Sequence, residues 1–124
     1  MTIVQTANAP AAIGPYSQAM VVNGMVFTSG QIALTPEGIM LDGDVKVQCA
    51  QVLANLKAVL EAAGSSLDKV IKTTIFLDNM DDFAAVNELY SSAFGEHKPA
   101  RSTVAAKTLP RNALVEIEAI ALTH

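Results

Sequence analysis

Two short stretches of this 124-residue chain carry side chains able to do chemistry. In HKPARSTVAA, residues 97 to 106, Pro99 halts what precedes it and Arg101 opens a β-prone run through Ala106. A guanidinium cannot shed its charge, so Arg101 needs an anion, either a carboxylate of this protein or one that arrives from outside. In LVEIEAIAL, residues 114 to 122, strand alternation puts Glu116 and Glu118 on one face with Leu114, Ile120 and Leu122. Carboxylates set among aliphatics must find a partner, solvent or a site. Arg101 shares its own face with Thr103. If residues 101–106 and 114–122 pair as a hairpin about the Leu109-Pro110-Arg111-Asn112 turn, Arg101 and Thr103 come within a few residues of both glutamates.

Two readings stay open at this level. In one, Arg101, or Lys72 of the VIKTTIFL run, forms a structural ion pair with Glu116 or Glu118. In the other, one carboxylate neutralises Lys72, the second serves a water, and the guanidinium is left for a guest. Weaker hints come from the N-terminal third. AIGPYSQAM, residues 12 to 20, sets the Tyr16 hydroxyl after a Gly14-Pro15 turn, and TSGQI, residues 28 to 32, ends a strand at Gly30, where a ligand can approach backbone amides closely. Each reads equally well as a strand-terminating turn.

Other chemistries lack their residues. There is no HExxH or paired CxxC, no glycine-rich phosphate loop and no GxSxG elbow. The only histidines, His97 and His124, read as surface residues, which leaves no basis for a histidine triad. Cys49, the single cysteine, falls on an apolar stripe and reads as a small core residue; alone it can form no internal disulfide.

The elements that must position these groups are legible from periodicity. Cys49, Val52, Leu53, Leu56, Val59, Leu60 and Ala63 follow a helical period over 45–63, with Asp44 at the N-cap and Gly64 at the stop. A second helix carries Phe83, Val86, Tyr90 and Phe94, with Asp81 as its candidate cap and Gly95 as its end. Strands are expected at 19–22 and 25–30 around the Asn23-Gly24 hairpin signal, at 70–77, at 101–106 and at 114–122. The order predicts one α+β domain over residues 1–124, a mixed sheet with two helices on one face.

The other face then needs cover. With 51% hydrophobic and only 16% charged residues, the chain has more apolar surface than one small core uses, and a second copy of the sheet would bury the surplus. A net charge of −4, with no basic residue before Lys46 and no basic cluster after it, argues against nucleic acid and polybasic membrane docking. Ala7-Asn8-Ala9 mimics a cleavage site but lacks a basic segment and a long apolar run before it, so no signal peptide is read and the cytosol is the expected compartment.

The motifs APAAIGPYSQA, TSGQI, KTTIFLDNMDDFAAVNELY, PARSTV and VEIEAIAL occur in an order and spacing that resembles the RidA (YjgF) family over Asn8 to Leu122. The resemblance implies a chorismate-mutase-like unit assembled as a homotrimer around a central barrel, with sites in clefts between subunits. It implies hydrolysis of carboxylate-bearing enamines and imines, such as 2-aminoacrylate and 2-iminobutanoate, to 2-keto acids and ammonia, with no metal or organic cofactor. By motif matching, Arg101 would hold the substrate carboxylate and Glu116 would position water. Tyr16, Ser29, Gly30, Gln31 and Asn87 would line the cleft, and Ser102 and Thr103 would offer backbone amides. Many members carry cysteine where this chain has Thr103, so no thiol role transfers to that position. A non-catalytic small-acid sensor and a ribonuclease or translation inhibitor are the competing functions.

Overall fold

The computed structural model describes residues 1–124. Six strands form one sheet: β1 (Thr2–Val4), β2 (Ala19–Val22), β3 (Met25–Thr28), β4 (Val70–Leu77), β5 (Ala100–Ala105) and β6 (Val115–Leu122). Their spatial order is β1-β2-β3-β6-β4-β5. All neighbours are antiparallel except β4 and β5, which run parallel. Helices α1 (Val45–Ala62) and α2 (Phe83–Phe94) pack on one face. The α+β architecture read from periodicity is the one observed.

Local chemistry explains most boundaries. Asn23 and Gly24 both take positive φ, 51° and 74°, as a two-residue hairpin with right-handed strands requires. The Asp44 carboxylate accepts the Val47 N–H at 3.0 Å and starts α1. Cys49, Val52, Leu56, Val59 and Leu60 are buried along its inner stripe. Burial also pushes the Cys49 thiol up to about 11, which keeps it protonated and inert.

Several expectations are corrected. Residues 101–106 and 114–122 do not form a hairpin, because β4 lies between β5 and β6. The segment β4–α2–β5 is a strand–helix–strand crossover, and a helical crossover returns the chain parallel to its first strand. β6, buried at every second residue, instead fills the gap between β3 and β4. The turn at 109–112 is a short 3-10 segment with Arg111 and Asn112 left-handed, and it carries the chain across β4 rather than back along β5. Asp81 does not cap α2. Asn79 accepts the Asp81 N–H at 2.9 Å and begins a 3-10 turn that leads into the helix. The strand expected to reach residue 30 ends at Thr28, and Gln31 rejoins the sheet by a single bridge to Ile117. His97 is not a free surface group; its Nε2 lies 2.7 Å from the Val70 carbonyl and its ring stands beside Phe94. β1 was not anticipated.

The sheet has two unlike faces. Thr73, Ile75, Leu77, Val115, Ile117, Ala119 and Ala121 meet the helices and are buried. The alternate residues form a face that no helix of this chain covers, and Ile3, Phe27, Leu122 and Val104 remain 64%, 41%, 42% and 44% exposed there. Lys72, Glu116 and Glu118 stand on this open face.

Candidate functional site

The register divides the candidate residues. Arg101 pairs with Thr73 across the β4–β5 ladder and therefore shares the helix-covered face. Glu116 pairs with Phe76, and Phe76 with Val104, one residue out of phase with Thr103. Arg101 and Thr103 thus point to one side of the sheet, Glu116 and Glu118 to the other. The two groups cannot meet within one chain.

On the covered side, at the sheet edge, Arg101 is exposed, and the side chains that contact its guanidinium are neutral. Its Nη1 donates to Asn87 Oδ1 at 2.7 Å. Its Cζ lies 5.5 Å from the Phe83 ring centroid and 5.0 Å from that of Tyr90. The only ion pair in the chain joins Lys46 to Glu88 at 3.5 Å, so neither Arg101 nor Lys72 is claimed by a carboxylate. The structural ion pairs that the sequence left open do not form. A pocket of about 400 Å³ opens beside the guanidinium, lined by Asn87, Tyr90, Ser91, Lys98 and Arg101 among others. Two residues further along β5, the Thr103 hydroxyl is buried without a hydrogen-bond partner.

The second group gathers around Glu116. The turn after β3 is pinned by Ser29, whose N–H donates to the Gln18 carbonyl at 2.9 Å and whose hydroxyl donates to the Ser17 carbonyl at 2.5 Å. Gln31 exchanges backbone bonds with Ile117 at 2.9 and 3.1 Å. Gly30, between them, lies against Glu116: a Cβ there would stand 2.8 Å from Glu116 Cδ and would collide with Oε2. Absence of a side chain at residue 30 is what lets the carboxyl rest on the backbone. Tyr16, 55% exposed, joins Gly30 and Gln31 around a cavity of about 50 Å³. Burial, and secondarily the neighbouring Glu118 charge, raises the Glu116 carboxyl above the usual carboxylate range.

Positions that the sequence reading passed over hold these groups in place. Asn55, 1% exposed on α1, donates to the Ile32 and Leu34 carbonyls at 3.1 and 2.8 Å and accepts from Gln51 at 2.8 Å. A buried carbonyl left without its donor costs about 1–3 kcal/mol, so this amide fixes the loop that follows Gly30. Its signal was a polar residue inside the buried stripe of a helix. Phe83 and Tyr90 belong to the apolar residues that the sequence marks out on α2; their spacing with Asn87, at i, i+4 and i+7, is the sign that one helix face meets the arginine.

These features define a small α+β protein with a mixed sheet, one bare sheet face, and an edge-strand arginine that meets no carboxylate of its own chain. Residues 6–123 match the model of a family described as endoribonuclease L-PSP. The chain belongs to that family, which includes the RidA, YjgF and RutC proteins. It is 54% identical to the RutC family protein slr0709 of Synechocystis, covering 98% of this chain and 96% of the relative. It is 46% identical to the 2-iminobutanoate/2-iminopropanoate deaminase of Escherichia coli, over 96% of this chain and 95% of that one. The crystal structure of Escherichia coli TdcF with bound serine superposes with a TM-score of 0.94 at 44% identity, covering 98% of each chain. No helix of the chain is long and apolar enough to cross a membrane.

Proposed function

We propose that the protein hydrolyses small enamine and imine acids, of the 2-aminoacrylate and 2-iminobutanoate type, to 2-keto acids and ammonia, in clefts between copies of itself. The observation that carries this reading is Arg101: a guanidinium open to solvent, oriented by neutral partners and unclaimed by any carboxylate. It can take a guest carboxylate in a two-pronged bond. The 46% identity to a deaminase, and the bound serine of TdcF, support a small amino-acid-like guest.

In this reading the copies pack their bare sheet faces together as a homotrimer, which buries Ile3, Phe27, Leu122 and Val104 and brings Glu116 of one copy to Arg101 of another. The substrate tautomerises to its imine, an electrophile that needs placement more than activation. Arg101 fixes the carboxylate. Glu116, ionised, takes a proton from water as the water oxygen bonds to the C=N carbon. Glu116 passes that proton to the nitrogen, which gives the carbinolamine. The hydroxyl proton is then relayed through Glu116 to the nitrogen as the C–N bond breaks and the C=O bond forms, which releases ammonia and the keto acid. Tyr16, Ser29, Gly30, Gln31, Asn87 and Thr103 line the cleft. The role of Glu116 predicts a pH profile. Activity falls as pH drops through the raised Glu116 pKa, so the acid limb lies above that of an ordinary glutamate. Glu118→Gln is expected to move the limb downward only in part, because burial is the larger cause and remains. The folded chain holds this proton more tightly than the unfolded chain. Ionising Glu116 therefore costs stability as pH rises through the shifted pKa, and protonation restores it below.

The deciding assay couples a threonine dehydratase to this protein and follows the appearance of 2-ketobutanoate. Faster release with the protein present is expected. An unchanged rate, with keto acid still binding at Arg101, would favour a non-catalytic sensor. The family description also names endoribonuclease activity. Eight basic against twelve acidic residues give RNA no electrostatic footprint, so RNA cleavage is expected to be lost on purification.

A further inference from the structure

Arg101 is a long flexible side chain on an edge strand, yet it is held from three directions by one face of α2. Phe83, Asn87 and Tyr90 follow one another at i, i+4 and i+7 and meet the guanidinium with two rings and one amide oxygen. All three are neutral. Cation–π contact and an amide acceptor restrict the guanidinium without cancelling its charge, and they leave most of its N–H donors free. A carboxylate in Asn87's place would have occupied the fork intended for a guest.

Of the three, Tyr90 is the one that is itself immobilised. It is 7% exposed, and its ring stacks on Phe94 with centroids 4.5 Å apart. Its hydroxyl lies 2.7 Å from Thr73 Oγ1 in a buried hydrogen bond. Thr73 is also the residue paired with Arg101 in the parallel ladder. Backbone register and side-chain bond therefore close one loop: β5 to β4 through the Arg101–Thr73 pairing, β4 to α2 through Thr73–Tyr90, and α2 back to Arg101 through the ring face. Packing alone would require only an aromatic at residue 90. The hydroxyl fixes how far the ring reaches beneath the guanidinium.

We infer that Tyr90, braced by Thr73, is the positioning residue for the Arg101 guanidinium and sets the protein's preference for a carboxylate over a neutral group of the same shape. The inference rests on the proposed carboxylate-holding role of Arg101. Its test uses two probes on the intact assembled protein, 2-ketobutanoate and its uncharged amide 2-oxobutanamide, with binding measured by calorimetry. Wild-type protein is expected to favour the acid. Tyr90→Leu, which removes the ring face, is expected to reduce that preference at least about tenfold and to raise KM more than it lowers kcat. Tyr90→Phe, which keeps the face but loses the Thr73 bond that sets its reach, is expected to fall between wild type and Tyr90→Leu, and a preference equal to wild type would overturn the bracing role of Thr73. Should Tyr90→Leu fold poorly, Thr73→Val, which leaves the ring in place and removes its brace, provides the second readout: a partial loss of the acid preference is expected, and an unchanged preference would overturn the inference. Equal weakening of both probes, or a lower thermal midpoint with the acid preference intact, would reduce Tyr90 to a core residue and overturn the inference. Wild-type protein that binds the amide as well as the acid would overturn the underlying assignment of Arg101, a result distinguishable because it needs no variant.

Discussion

Arg101→Ala is expected to abolish keto-acid release, lowering kcat/KM by at least about 100-fold, while the chain folds and assembles as before. The charge-assisted fork to a substrate carboxylate contributes about 1.5–3 kcal/mol on its own. In the proposed reaction, losing it also frees the imine carbon to drift from the attacking water, and alignment of that kind is worth more than the contact itself. Folding should be spared because Arg101 is exposed, lies on an edge strand and bridges no internal carboxylate. Its one side-chain hydrogen bond within the chain, to Asn87, is solvent-accessible. Arg101→Lys is expected to fall between, since an ammonium keeps the charge and loses the planar fork. Steady-state rates with the dehydratase-coupled assay, read beside the thermal midpoint and the mass in solution, check both halves of this expectation. Wild-type rates in Arg101→Ala would leave the deaminase reading without its anchor.

Much of the fold was legible because its signals are local. Asn23-Gly24 needs only its own two residues to turn, Asp44 only the amide three residues on, and α1 only its own buried stripe. The pairing of strands is not local. Nothing in residues 107–113 says whether the chain returns beside β5 or steps over β4, and the turn chemistry at Pro110 suits both. What decides is that β6 is buried at alternate positions along its whole length and needs a neighbour on each side, whereas β5 is exposed at all but one position and suits an edge.

The candidate site followed the same division. Residue types were readable, and Arg101, Asn87, Glu116 and Gly30 each sit in chemically meaningful company. Which of them face one another depends on register, and the hairpin assumption put Arg101 and Glu116 on one ladder when two ladders and a change of face separate them. The residues that hold the site were harder still. Asn55 and Tyr90 look like interruptions or members of a core stripe until the carbonyls and the guanidinium they meet are in view.

That separation of Arg101 from Glu116 generates the second large effect, which appears only when two defective proteins are combined. Arg101→Ala and Glu116→Ala are each expected to be inactive as pure assemblies. If every site takes its arginine from one copy and its glutamate from the next, a mixed assembly contains some sites in which both residues survive. In any closed ring with random, equal mixing, a given site has one chance in two of an intact arginine and, independently, one in two of an intact glutamate, so roughly one site in four is restored. Mixing the two variants under conditions that allow subunit exchange is thus expected to recover about a quarter of wild-type activity from components that have almost none. Native mass spectrometry, with one variant isotopically labelled, shows whether exchange occurred. A site contained within a single chain could not behave this way, since no chain in the mixture carries both residues. Full exchange without recovered activity would therefore place the catalytic pair somewhere other than across the junction between copies.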